Sequence, residues 1–144
     1  MITQDSELRD LLINTQVIAT VGVSAHTDKP SHWIFYYLMQ HGYQMIPVNP
    51  AASEIFGLEV KPSLDSIGRP IDVAQIFRRA EDVPPIVEAA IHIGAKAIWM
   101  QKGIVNHDAA SLAEASGLKV VMDQCMMEAH ERLLGGIFTF GPGL

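Results

Sequence analysis

Five short apolar runs alternate with segments of helical pattern, and that alternation limits the possible folds more than any other feature of the chain. The runs are "QVIATVGVS" (16–24), "YQMIPVNP" (43–50), "IDVAQIF" (71–77), "AKAIWMQ" (95–101) and "LKVVMDQ" (118–124). They are rich in β-branched residues and lack a regular polar face, as strands buried on both sides do. The intervening pattern is helical. Leu8, Leu11 and Leu12 repeat at helical spacing in 5–14. Pro30 and Ser31 suit a helix start, with Ile34, Tyr37, Leu38 and His41 on one face and Gly42 as a stop. A third helix spans 83–94, with prolines in its first turn and Gly94 at its end. A fourth spans 106–117, capped by Asn106 or Asp108, with Ala109, Leu112, Ala113 and Ser116 on one face and Gly117 closing it. A short helix is expected over 126–134. Residues 51–70 form a connection rich in turn residues with room for one helical turn.

Strands alternating with helices predict an α/β fold: a Rossmann-like, doubly wound, five-stranded and mostly parallel sheet with helices on both faces. The 144 residues suit one domain (1–144), with a core over 15–125, a leading helix over 5–14 and a C-terminal helix and tail over 126–144. Ligands of such sheets bind at the carboxyl ends of the strands, where strand order reverses, and the first strand normally flanks that point.

The stretch "TVGVSAHTDKPSH" (20–32) therefore carries the functional question. Gly22 lets the backbone turn and approach a ligand. Ser24, Thr27 and Ser31 offer hydroxyls, Lys29 a point charge, and the helix beginning near Pro30 its positive end. The alternative is an ordinary strand-to-helix loop with Ser31 as its cap. The glycine signature of a dinucleotide site is missing, and the second strand ends on Val48-Asn49-Pro50, without a carboxylate for a ribose diol. An NAD(P)-dependent oxidoreductase is thus the second reading. No phosphate-binding loop of the G-x-x-x-x-G-K-[ST] type occurs.

Composition narrows the partners. The formal net charge is −6 with no long basic run, which argues against nucleic acid and for a small-molecule ligand. No apolar run approaches the roughly 20 residues that span a bilayer, so no membrane segment is expected. The polar, acidic start does not read as a signal peptide. Cys125 is the single cysteine, which excludes an internal disulfide and suits a cytoplasmic protein.

Set in order, Gly22-Val23-Ser24, Lys29-Pro30-Ser31, "GYQMIPVNP" (42–50), "FRRAEDVPPIVEAAIHIGAKAIWMQKGI" (77–104) and "GLKVVMDQC" (117–125) resemble the CoA-binding domain family. These are small bacterial and archaeal proteins, similar in fold to the CoA-binding domain of the succinyl-CoA synthetase alpha subunit. The resemblance covers about residues 5–132. It implies non-catalytic binding of coenzyme A or an acyl-CoA. The loop Gly22 to Ser31 would hold the phosphates, with Ser24, Lys29 and Ser31 as donors. Val48, Asn49 and Pro50 would line the adenosine end. Phe77, Arg78 and Arg79 would lie near phosphates or adenine, and Val83 with Pro84 would close over the base. Gln101, Lys102 and Gly103 would face the pantetheine arm. The synthetase's phosphorylated histidine belongs to a further domain, before which this chain ends, so that chemistry is not carried over.

The charges agree with such a ligand. Lys29, Arg78, Arg79 and Lys102 are four of ten Lys and Arg, and all fall at predicted carboxyl ends of strands. The competing reading pairs Arg78 and Arg79 with Glu81 and Asp82. Cys125, followed by Glu128 and His130, suggests either a nucleophile, including a mixed disulfide with CoA, or a small buried residue closing the last strand. His26, His32, His41, His92, His107 and His130 show no metal-ligand spacing and suit solvated or capping roles. No catalytic or metal site is expected. Asp72 and Asp123 suit backbone capping, and Trp99 the sheet core. The Met126-Met127 pair and Phe138 with Phe140 would cover the sheet edge or a partner chain, a possible homodimer contact.

Overall fold

The computed structural model describes residues 1–135. Phe138 and Phe140 lie outside the described residues. The main sheet has strands β1 (Val17–Val21), β2 (Gln44–Val48), β5 (Val73–Ile76), β6 (Ala97–Met100) and β7 (Lys119–Val121). Their order is β2-β1-β5-β6-β7, and every pairing is parallel. Each strand is shorter than its apolar run, because the ends of the runs turn away from the ladder into loops. The connection 51–70, expected to be turns with one helical turn, holds a hairpin of β3 (Glu54–Ile55) and β4 (Leu58–Glu59) and a 3₁₀ turn over Leu64–Ser66.

Alternating side chains divide the core into two layers. Ile18, Val73, Ala97, Trp99 and Val121 face α1 (Asp5–Asn14), α2 (Pro30–Gln40) and α5 (Met126–Leu134). Ala19, Val21, Ala74, Ile76, Ile98 and Val120 face α3 (Val83–His92) and α4 (His107–Ala115). Helix α1 has no side-chain cap and docks through buried Leu8, Leu11 and Leu12. Burial of each such side chain stabilises by about 1.5–3 kcal/mol. Asn106 rather than Asp108 caps α4, accepting from Ala109 N at 2.9 Å. The expected face of α4 is rotated: Ala110 is buried, whereas Leu112 is 41% exposed. Asp72 works as a cap, its carboxylate accepting from Gln16 N and Val17 N at 2.9 Å each.

Strand order reverses between β1 and β5, since the chain moves outward from β1 to β2 and then returns to the other side of β1. The carboxyl ends of these two strands, Val21 and Ile76, open directly into the loops 22–29 and 77–82. The fold therefore sets the predicted anion loop at the switch point.

Candidate functional site

A cavity of about 620 Å³ lies at that edge. Gly22, Ser24, Lys29, Pro30 and Ser31 form one wall, Phe77 and Arg78 a second, and Gln101, Lys102 and Ile104 a third. Asn49, Trp33, Ile34, Cys125, Met127 and Glu128 complete it. A second cavity of about 530 Å³ lies between the ends of β1 and β2 and the start of α3. Val48, Pro50, Pro62, Pro85 and Ile86 make it largely apolar. Arg78 is the residue common to both linings.

Local hydrogen bonds explain the shape of the anion loop. The Ser24 amide donates to Ser31 Oγ at 3.0 Å, and the His26 amide to Ser24 Oγ at 3.0 Å. Both serines act here as acceptors, so their O–H groups remain to donate. The His32 ring donates from Nδ1 to the Ser24 carbonyl at 2.8 Å, because a carbonyl only accepts. Ser31 lies inside α2 and ties the loop to it; it is not the cap. Lys29 occupies the cap position without a side-chain hydrogen bond, and Pro30 follows at the first helical position. The positive end of α2 thus meets the cavity without a side chain of its own to neutralise it.

Gly22 has a reason beyond ligand approach. Its φ is +92°, and a Cβ there would meet the Phe77 carbonyl oxygen at 2.5 Å. The close neighbour is the chain leaving β5. Asn49 likewise serves the backbone: Nδ2 donates to Val23 O at 2.9 Å and Oδ1 accepts from Ala51 N at 2.9 Å. It clamps the end of β2 to the end of β1 while lining the cavity.

The two arginines separate. Arg78 is half-buried, lines both cavities and forms no ion pair among the described residues. Arg79 is 78% exposed, lies 3.3 Å from Asp82 and 3.8 Å from Glu81, and lines neither cavity. The solvated-pair reading holds for Arg79 alone. Lys102 lines the larger cavity and pairs with Glu128 at 3.5 Å. Val83 is fully buried against the α3–α4 layer, and Pro84 lines neither cavity; Pro85 stands where those two were expected. Val23 is fully buried as well. Gly103 turns at φ +88° and donates to Asp123 Oδ1 at 2.7 Å, outside both cavities.

Met126, expected at an edge or partner contact, is wholly buried, and its neighbour Met127 lines the larger cavity. Cys125 is buried at the wall. His130, expected in solvent or as a cap, is fully buried, with Nδ1 2.8 Å from Tyr37 Oη. Burial and the neighbouring His41 lower its pKa to about 4, while burial and Glu131 raise that of Tyr37 to about 12. Tyr37 therefore stays protonated and shares a hydrogen bond with a neutral His130. Sequence reading missed Trp33, Ile34, Met127 and the second cavity's Pro62 and Pro85. The visible signal for Trp33 was a large aromatic in the first turn of the helix whose start carries the anion loop.

A family model for a CoA binding domain matches residues 16–131. The chain belongs to the CoA-binding domain family. Within that family setting, it is 36% identical over 125 residues to the uncharacterized protein YneT of Bacillus subtilis, covering 87% of this chain and 93% of YneT. It is 35% identical over 92 residues to the ADP-forming acetate–CoA ligase II of Archaeoglobus fulgidus, covering 62% of this chain but 14% of the ligase. Among solved structures, a hypothetical protein from Pyrococcus horikoshii superposes with a TM-score of 0.90 at 37% identity, over 92% of this chain and 94% of that one. The two-cavity edge of this CoA-binding domain is built largely from the segment that the family model matches.

Proposed function

We propose that this protein binds coenzyme A, or an acyl-CoA, across the carboxyl edge of its sheet and catalyses no reaction on it. One observation carries the reading. Lys29, Arg78 without an ion pair among the described residues, the Ser24 and Ser31 hydroxyls and the start of α2 without a side-chain cap converge on a cavity that meets an apolar, proline-lined one at Arg78. CoA has that division of chemistry: a polyanionic middle, a planar base and a long neutral arm. Arg78 can grip a phosphate through two parallel hydrogen bonds, where Lys29 acts as a point charge. The second cavity suits the base, and the wall of Gln101, Ile104, Cys125 and Met127 suits the arm.

The non-catalytic part is argued from the lining. Among the described residues, neither cavity is lined by a histidine; of the lining carboxylates, Glu128 is paired with Lys102, Asp82 with Arg79, and Asp65 lies 3.3 Å from His92, while the Cys125 thiol is buried in the wall. The cytosol is the proposed compartment, where Cys125 stays reduced.

Thermal melts with CoA, dephospho-CoA, ADP, NADH and NADPH test the ligand. A true ligand at 100 times its Kd stabilises by about 2.7 kcal/mol, roughly 8 °C in Tm for a chain of this size. The expected result is a rise with CoA well above that with NADH or NADPH. A rise with a nicotinamide dinucleotide and none with CoA overturns the reading. Incubation with acetyl-CoA should leave it intact, and steady release of free thiol would show catalysis.

A further inference from the structure

The face of the sheet beneath α5 carries a chain of polar side chains where the surroundings are apolar. Thr20 on β1, Gln75 on β5 and Gln101 just beyond β6 are at most 3% exposed. Thr20 Oγ donates to Gln75 Oε1 at 2.7 Å, and Gln75 Nε2 donates to Gln101 Oε1 at 3.1 Å. The Met126 amide, at the first residue of α5, also donates to Gln101 Oε1 at 3.0 Å. Buried polar groups disfavour folding unless every partner is present, so a connected set in the middle of a sheet calls for a reason.

Its polarity is determined from one end. Met126 N–H is a backbone donor, so the Gln101 atom facing it must be the carbonyl oxygen. That oxygen takes a second donor from Gln75, which turns the Gln75 oxygen toward Thr20, whose hydroxyl supplies the last proton. Both acceptor positions of Gln101 Oε1 are then occupied. What Gln101 has left is its NH₂ group, and Gln101 lines the larger cavity.

We propose that the Met126 amide, with the Gln75 and Thr20 side chains reinforcing it, sets the hydrogen-bond sense of the cavity wall. Gln101 meets the ligand as a donor and selects a carbonyl acceptor, such as an amide oxygen of the pantetheine arm. Gln75 and Thr20 are positioning residues that touch no ligand and hold Gln101 in that sense. A wall of the opposite sense would leave an amide oxygen facing an acceptor, which is penalised more than a lost contact. The inference rests on the CoA reading.

Calorimetric titration with CoA and with adenosine 3′,5′-bisphosphate, which lacks the arm, separates the two ideas. Gln101→Met removes the donor at nearly constant length. Gln101→Glu, titrated at alkaline pH so that the carboxyl is ionised, keeps an acceptor for both Gln75 and Met126, and so preserves the ladder, but presents only acceptors to the cavity. CoA affinity should fall about tenfold in Gln101→Met and further in Gln101→Glu. Bisphosphate affinity in Gln101→Met should stay within twofold of the parent protein. Gln75→Met should weaken CoA several-fold, and the double variant Gln75→Met/Gln101→Met should be no weaker than Gln101→Met, because Gln75 acts through Gln101. Circular dichroism melts identify any variant that fails to fold, and the Gln101 pair then decides. Equal losses for CoA and bisphosphate in Gln101→Met, or a Gln101→Glu protein that binds CoA as the parent does, would overturn the inference and leave the CoA reading standing. A parent protein that binds neither compound overturns both.

Discussion

Arg78 and Arg79 are chemically identical neighbours that the fold puts to different uses. The backbone leaving β5 aims Arg78 between the two cavities, and the next residue falls on the solvent side, where Glu81 and Asp82 meet it. An exposed pair of this kind contributes little to stability, about 0–1 kcal/mol. A charge-assisted contact to phosphate contributes roughly 1.5–3 kcal/mol. Arg78→Ala should therefore weaken CoA binding about 10- to 100-fold in calorimetry, while Arg79→Ala changes it less than threefold. Equal effects of the two substitutions would remove Arg78 from the site. The same attention to single residues explains Gly22: the Phe77 carbonyl stands where any Cβ would go, so this glycine is required by the packing of two strand ends before any ligand arrives.

At the scale of elements, α4 is the described α-helix whose start a side chain caps. Helix α4 is held at its start by Asn106, which caps it through Oδ1 and ties it through Nδ2 to the Ala80 carbonyl at 2.9 Å. Asn106→Ala loses both bonds. It should lower unfolding free energy by about 1–2 kcal/mol, measured by urea denaturation, with no change in ligand affinity. A stability change below ~0.3 kcal/mol would show that the cap contributes nothing. The β3–β4 hairpin shows the opposite balance. Its two-residue turn places Phe56 at φ +53° and Gly57 at +75°, a geometry that disfavours a bulky side chain by about 1–2 kcal/mol. The Phe56 ring offsets this by stacking on Phe35 at 5.8 Å between centroids and lying 4.4 Å from the His32 ring. The hairpin is thus pinned to α2 beside the anion loop, a tertiary contact that turn propensity does not foretell.

For the whole molecule, the response to acid follows from one buried and one partly buried ionisable group. His130 has a folded pKa lowered to about 4, against an ordinary value near 6.5, so the unfolded chain takes up a proton that the folded one refuses. Stability is complete above about pH 6.5 and declines as pH falls toward 4, by an amount on the order of 3 kcal/mol in full. For Asp72, burial acts to raise the pKa, but the amides of Val17 and Gln16 and the ammonium of Lys96 together outweigh it and hold the carboxyl below its ordinary value. Its contribution is present above the unfolded value and is lost as pH falls through the lowered one. Melting temperature should fall in two stages on acidification. His130→Phe should flatten the stage between pH 6.5 and 4 and leave the lower one. An unchanged upper slope in that variant would assign the stage to other groups.

Local chemistry written along the chain determined much of this protein. The apolar runs, the glycine and proline stops and the spacing of Leu8, Leu11 and Leu12 are short-range signals, and they carried the α/β class, the strand count of the main sheet and the place of the anion loop at a sheet edge. The hairpin, the rotated face of α4 and the burial of His130 and Met126 are contacts made at a distance, and no local pattern announces them. The site divides in the same way. Lys29, Pro30 and Ser31 reach the cavity because a strand end leads straight into a helix start. Whether Arg78 or Arg79 faces the cavities, and whether Val83 or Pro85 lines the second one, depends on the phase at which each strand or helix ends, because neighbouring side chains point to opposite sides. The Thr20–Gln75–Gln101 ladder joins residues 55 and 26 positions apart. Only packing of three parallel strands under α5 brings them to hydrogen-bonding distance, since a polar side chain in an apolar run gives no sign of which partner will satisfy it.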